Sequence, residues 1–164
     1  MEIGDVVREQ LLDLLRGGNA HMDFTEAIDH FPLELINAQL PTSDYTPWRL
    51  LEHIRIAQWD ILEFIRDAQH VSPAWPKGHW PPEGKMAGPS EWEQTIARFR
   101  RDLQDMQALV EDTHTDLLAS LPHAPGYTIL REVLVLADHN AYHLGEFALM
   151  RQVIGAWSQT TEKP

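Results

Sequence analysis

The sequence predicts an all-α fold, a four-helix bundle around one hydrophobic core. Three observations carry that expectation. Apolar residues recur at helical spacing in four long segments, no segment reads as a convincing strand, and glycine- and proline-bearing stretches separate the segments. The chain of 164 residues falls within the usual size of one domain. At that length a bundle buries roughly 70% of the surface its unfolded chain exposes, so neither disulfide nor metal is needed merely to fold.

The first helix is expected over Ile3 to Arg16, with Val6, Val7, Leu11, Leu14 and Leu15 as its apolar stripe and Gly17-Gly18 as its stop. A short helix from Phe24 to about Phe31 precedes Pro32. The second long helix has a clear start: Thr46 is a good N-cap, Pro47 fits the first helical position, and the run reads helical to about Gln69. Residues 70–89 contain five prolines and three glycines and cannot form a regular helix. Ser90 to Glu93 offers a capping box for the third long helix, which runs to about Ser120. After the short connection LPHAPGY, the fourth runs from near Thr128 to near Gly155. Residues 1–157 are thus read as one domain and 158–164 as a disordered tail.

The Pro-rich segment exceeds the needs of a hairpin. About 20 extended residues reach roughly 60 Å, so a crossover that makes the second and third long helices parallel is sterically allowed. The short link before the fourth helix implies that the third and fourth are antiparallel.

Bulk chemistry narrows the function. A net charge of −12 repels phosphate backbones and anionic membrane surfaces, so neither nucleic acid nor membrane is expected as a partner. The chain has no cysteine, which excludes disulfides, thiolate metal sites and cysteine nucleophiles. Any thiol chemistry would use an external thiol. No signal peptide and no membrane span are visible, and the protein is read as cytoplasmic by default.

The chemistry-bearing pattern is His139-Asn-Ala-Tyr-His143 on the fourth long helix. Residues four apart lie one above the other on a helix face, and two imidazoles so placed can share one metal ion. Val135, Leu136, Phe147 and Met150 continue that face as an apolar stripe. On the second long helix His53 has Leu50, Ala57, Ile61 and Phe64 as same-face neighbours, so it is expected to point into the bundle. A buried ring needs a partner. Two readings are open: His53 donates to a carbonyl or carboxylate, or it joins His139 and His143 around a metal. Three neutral imidazoles suit zinc, nickel or ferrous iron and leave positions open for water or substrate.

The segments LLEHIRIAQWDILEFI and DHNAYHLGEFALMRQ resemble the two signature segments of the DinB family of metal-dependent helical bundle proteins. The resemblance is most specific at the helical His53 and at H-x-x-x-H-x-G. It implies an up-down-down-up four-helix bundle with a long crossover between helices 2 and 3, often dimeric. It also implies a nickel or zinc ion held by His53, His139 and His143. Some relatives are thiol-dependent transferases or isomerases. Where relatives often carry Gln after the H-x-G step, this chain has Glu146.

Glu146, on the face of His139 and His143, is a candidate metal ligand, water-orienting group or general base, or else a rim carboxylate paired near Arg151. Glu132 and Asp60 are weaker candidates for contact with the ligands and are read as solvated. Asp138 and Glu52 directly precede histidines and point elsewhere. His21, His30, His70, His79, His114 and His123 are expected in loops or on exposed faces, without function. Of the six tryptophans, Trp48, Trp59, Trp92 and Trp157 are expected to pack at bundle ends or in a dimer interface. The loop bearing Trp75 and Trp80 either covers the open side of a metal or is a crossover pinned by aromatic contacts.

Three functions remain open. The first is a metal-dependent enzyme acting on a small molecule, by hydrolysis or by transfer of an external low-molecular-weight thiol. The second is a non-catalytic, stress-related metal- or ligand-binding protein. The third is a plain helical scaffold that forms homodimers.

Overall fold

The computed structural model describes residues 3–41 and 43–157, and the expected tail 158–164 lies outside the described residues. The chain is mainly helical. Helix α1 spans Ile3–Arg16, α2 Phe24–Ile28, α3 Pro47–Arg66, α4 Pro89–Glu111 and α5 Ile129–Val153. None of them is long and apolar enough to cross a membrane.

The starts and stops follow local chemistry. Gly17 and Gly18 adopt φ of +72° and +80° directly after α1, a conformation that side-chain-bearing residues disfavour. Thr46 caps α3 by accepting from the Arg49 amide at 3.4 Å, and Thr128 caps α5 by accepting from the Arg131 amide at 3.1 Å. At α4 the start lies earlier than Ser90. Pro89 takes the first helical position, Gly88 becomes the N-cap, and the Gly88 amide donates to Glu91 Oε2 at 2.7 Å.

Helix α4 ends nine residues before Ser120. Asp112 and Asp116 accept from the amides of His114 and Leu118, both at 2.9 Å, and these side-chain-to-backbone bonds replace the helical ladder. The expected strandless connection then holds a small two-stranded antiparallel sheet, β1 (Ser120–Leu121) with β2 (Ala124–Thr128). A two-residue strand is too short to show alternation. Helix α2 is shorter than expected, stopping at Ile28, and a 3-10 turn at Leu33–Leu35 follows Pro32.

Two apolar clusters fill the bundle. One gathers Leu50, Leu51, Ile54, Trp92, Phe99, Leu144 and Phe147, and the other Leu11, Leu15, Leu62, Met106, Val133 and Leu136. Gln58 and Asn140 fall between them on α3 and α5, joined at 3.0 Å, and Gln58 also donates to the Phe99 carbonyl at 2.7 Å. Cross-helix partners set the directions. Trp48–Thr95, Gln58–Phe99 and Arg66–Asp105 advance together, so α3 and α4 run parallel. His53–His143 and Gln58–Asn140 advance in opposite senses, so α3 and α5 are antiparallel. Residues 67–88 join the parallel α3 and α4, and their 3-10 turn packs on the histidine face of α3.

Candidate metal centre

His53 projects from α3 and is 2% exposed, and His139 and His143, one turn apart on α5, are half-buried opposite it. Antiparallel packing of α3 on α5 brings the three rings to one point. His53 Nε2 lies 3.2 Å from His143 Nε2 and 3.3 Å from His139 Nε2. The three ligand atoms all fall within 4.8 Å of one another. Metal–nitrogen bonds of about 2.1 Å at tetrahedral or octahedral angles separate ligand nitrogens by about 3.0–3.4 Å. Among the described residues this is the group of three or more His, Asp or Glu side chains whose spacing could hold an ion.

Hydrogen-bond partners determine where the protons sit. His53 Nδ1 lies 2.8 Å from the His79 carbonyl oxygen. A carbonyl can only accept, so Nδ1 carries the hydrogen and Nε2 presents a lone pair. His143 Nδ1 lies 2.6 Å from Glu146 Oε2, which assigns the same tautomer. Two nitrogen lone pairs thus face each other at 3.2 Å inside the bundle. Neutral rings in that arrangement cannot bond to each other. A cation between them satisfies both, so the donor set fits a metal ion.

Burial favours the neutral ligand form. It is the main reason that the His53 and His139 imidazoles are pushed down from 6.5 to about 4, with the neighbouring histidines pushing the same way. Metal ligation requires neutral imidazole, so these rings stay competent for binding well into acid.

The first reading of His53 is met, since Nδ1 donates to a carbonyl, and Nε2 lies in the histidine cluster that the second reading requires. Trp80 stacks on the His53 ring at 3.9 Å and 1°, so the crossover is pinned by an aromatic contact and covers one face of the site.

Glu146 sits on the Nδ1 side of His143, where it orients that ring from behind. It makes no pair with Arg151, whose guanidinium is buried against the carbonyls of Ala27, Asp29 and Ala156. The Tyr45 hydroxyl, which sequence reasoning passed over, lies beside Glu146. Burial, with the Glu146 charge, pushes it up to about 12. Tyr45 and Glu146 line one end of a pocket of about 180 Å³ whose walls include Leu40, Leu149 and Val153.

Several expectations need correction. Asp60 and His79 are buried rather than solvated, and His70 is half-buried, because the Asp60 carboxylate accepts from both rings. Glu132 is buried beside Arg131. Val135 is 41% exposed and lies off the core face. His21, His30, His114 and His123 are exposed as expected. Tyr45 stands just before a helix start with no periodic signal around it, so only the folded chain reveals its place.

Residues 18–147 match the sequence model of the DinB superfamily. No curated protein and no solved structure shows a significant match to the chain.

Proposed function

Because the chain belongs to the DinB superfamily, we propose that it is a metal-dependent enzyme acting on a small molecule. Its centre is one divalent ion held by His53, His139 and His143, with nickel or zinc favoured and iron(II) the third candidate. The observation that carries this reading is the convergence of imidazole nitrogens at 3.2 and 3.3 Å with the His53 and His143 lone pairs turned inward. A divalent ion there supplies Lewis acidity, lowering the pKa of a bound water or thiol or polarising a substrate carbonyl.

The chain's own groups do the rest. His53 and His143 keep their Nδ1 protons on a carbonyl and a carboxylate, which keeps both Nε2 lone pairs in place. Glu146 is the candidate general base: a carboxylate has about four acceptor positions, and the His143 Nδ1 proton uses only one of them. The pocket beside Tyr45 and Glu146 gives a small, largely apolar substrate somewhere to lie. Two reactions suit such a centre, hydrolysis and transfer of an external low-molecular-weight thiol.

The parallel α3 and α4 support an up-down-down-up connection for the whole bundle. Apolar residues that α5 leaves exposed outside that pocket, among them Val135 and Tyr142, support a homodimer that covers them.

Elemental analysis of the purified protein tests the centre. About one equivalent of metal is expected, and none in the His53→Ala, His139→Ala, His143→Ala triple variant. Equal metal content in the two sinks the proposal. A panel of ester, amide and electrophilic substrates, assayed with and without added thiol, tests the enzyme reading. Turnover at buffer level throughout, with each candidate metal loaded, would leave a binding protein.

A further inference from the structure

The three histidines do not account for all the buried polar chemistry near the site. Asp60 lies on α3 seven residues, or two turns, beyond His53 and is buried. Its carboxylate carries two histidines of the crossover. His70 Nε2 donates to Oδ1 at 2.7 Å and His79 Nε2 donates to Oδ2 at 3.0 Å. A lone buried carboxylate is costly, and two N–H donors compensate it. The crossover is therefore fastened to α3 where it leaves the helix and again in the 3-10 turn Lys77–His79.

That second fastening point is the one that touches the cluster. The His79 backbone carbonyl accepts the His53 Nδ1 proton at 2.8 Å, and the next residue, Trp80, lies flat on the same ring. One residue thus reaches back to Asp60 with its side chain and forward to His53 with its main chain. We propose that Asp60 is a positioning residue for the metal centre. Through the His79 side chain it holds the carbonyl that keeps His53 in the Nδ1–H tautomer, with the Nε2 lone pair aimed at the ion. The inference rests on the metal reading above for its consequence, and on hydrogen-bond geometry alone for its mechanism.

The chemistry is specific. An imidazole exchanges readily between its two neutral tautomers, and the Nε2–H form has no lone pair to offer the ion. An oriented carbonyl at Nδ1 decides between them. Removing Asp60 frees the His79 side chain, the carbonyl drifts, and the decision is lost although all three ligands remain. Outer partners of ligating histidines typically contribute 10- to 100-fold to metal affinity, about as much as is expected here.

The experiment uses the full chain in its metal-free and zinc-loaded forms. Long-range proton–nitrogen NMR reads the His53 tautomer, and zinc affinity is measured by competition with a chelating dye. Asp60→Asn keeps the shape but replaces one acceptor oxygen with an N–H₂ group, and His79→Ala removes the tether while keeping the backbone carbonyl. Both are expected to mix the His53 tautomers and to weaken zinc binding about 10- to 100-fold. His70→Gln, on the far oxygen of Asp60, is expected to change both far less.

If His53 stays wholly Nδ1–H in either folded variant, the relay is wrong, whatever happens to stability. A tautomer shift with zinc affinity unchanged likewise overturns the positioning role. Should one variant fail to fold, the other decides. A wild-type chain that takes up neither zinc, nickel nor iron(II) removes the metal reading, and the tautomer measurement still decides whether Asp60 acts through His79.

Discussion

The Nε2 atoms of His53 and His143 lie 3.2 Å apart while their Nδ1 protons are committed to the His79 carbonyl and the Glu146 carboxylate. Two inward lone pairs at that distance are spaced to share one cation. A ligand that binds only the folded state stabilises it by about 2.7 kcal/mol at a hundredfold excess over Kd. For a chain of this length that corresponds to an upward shift in Tm of about 5–10 °C. Nickel or zinc is expected to raise the wild-type Tm by that amount and to leave the triple alanine variant unmoved. Equal shifts for the two would mean that the metal acts elsewhere.

Glu146 behaves in this geometry as an acceptor for the His143 Nδ1 proton, and an amide oxygen can also accept. Glu146→Gln is expected to keep metal affinity within about tenfold of wild type. Glu146→Leu, which leaves Nδ1–H without a partner, is expected to lose about 10- to 100-fold. Activity separates the roles further. A base must be a carboxylate, so Glu146→Gln with the metal fully loaded is expected to lose about 10²- to 10⁴-fold in kcat. Retained turnover in that variant would reduce Glu146 to an orienting group.

What the sequence made legible here is what helical periodicity controls. His139 and His143 share a face because they are four apart, and His53 faces inward because Leu50 and Ala57 flank it on the same stripe. What remained hidden depends on backbone atoms and on segments without a period. The acceptor for His53 is a main-chain carbonyl, and no residue type announces a carbonyl. His79 looked exposed because it follows Pro76 and Gly78 in a loop, yet that loop crosses the buried Asp60 of α3. Nothing near Asp60 in the sequence signals its burial, since its partners His70 and His79 come from a chain segment without a period. The start of α4 was misplaced because Pro89 outweighs Ser90: a proline at the first helical position makes its predecessor the cap, even a glycine.

Acid is expected to weaken the metal-free fold in a defined window. Burial pushes His53 and His139 down from 6.5 to about 4. Above 6.5 both rings are neutral in the folded and unfolded chains, so stability is fully present. Between 6.5 and about 4 the unfolded chain takes up protons that the folded chain refuses. Stability therefore falls as pH falls through that window and levels below it. Urea midpoints of metal-free protein across the window should show the slope, and the His53→Gln, His139→Gln double variant should flatten it. A metal-free midpoint that stays level across the window contradicts the buried, neutral state of the two rings.

Trp80 offers an optical report on the same ring. It lies parallel to His53 at 3.9 Å, whereas Trp48 and Trp92 are buried in the apolar cluster and no ring contact joins them to His53. An open-shell ion bound at His53 quenches a stacked indole far more strongly than distant ones, because the coupling falls steeply with separation. Nickel titration is therefore expected to quench part of the total fluorescence with saturation at one equivalent. In Trp80→Phe, which keeps a ring over His53, most of that quenching should vanish while nickel affinity stays within about threefold, since the lost contact contributes on the order of 0.5 kcal/mol. Undiminished quenching in Trp80→Phe would place the ion beside another indole and away from the His53 face.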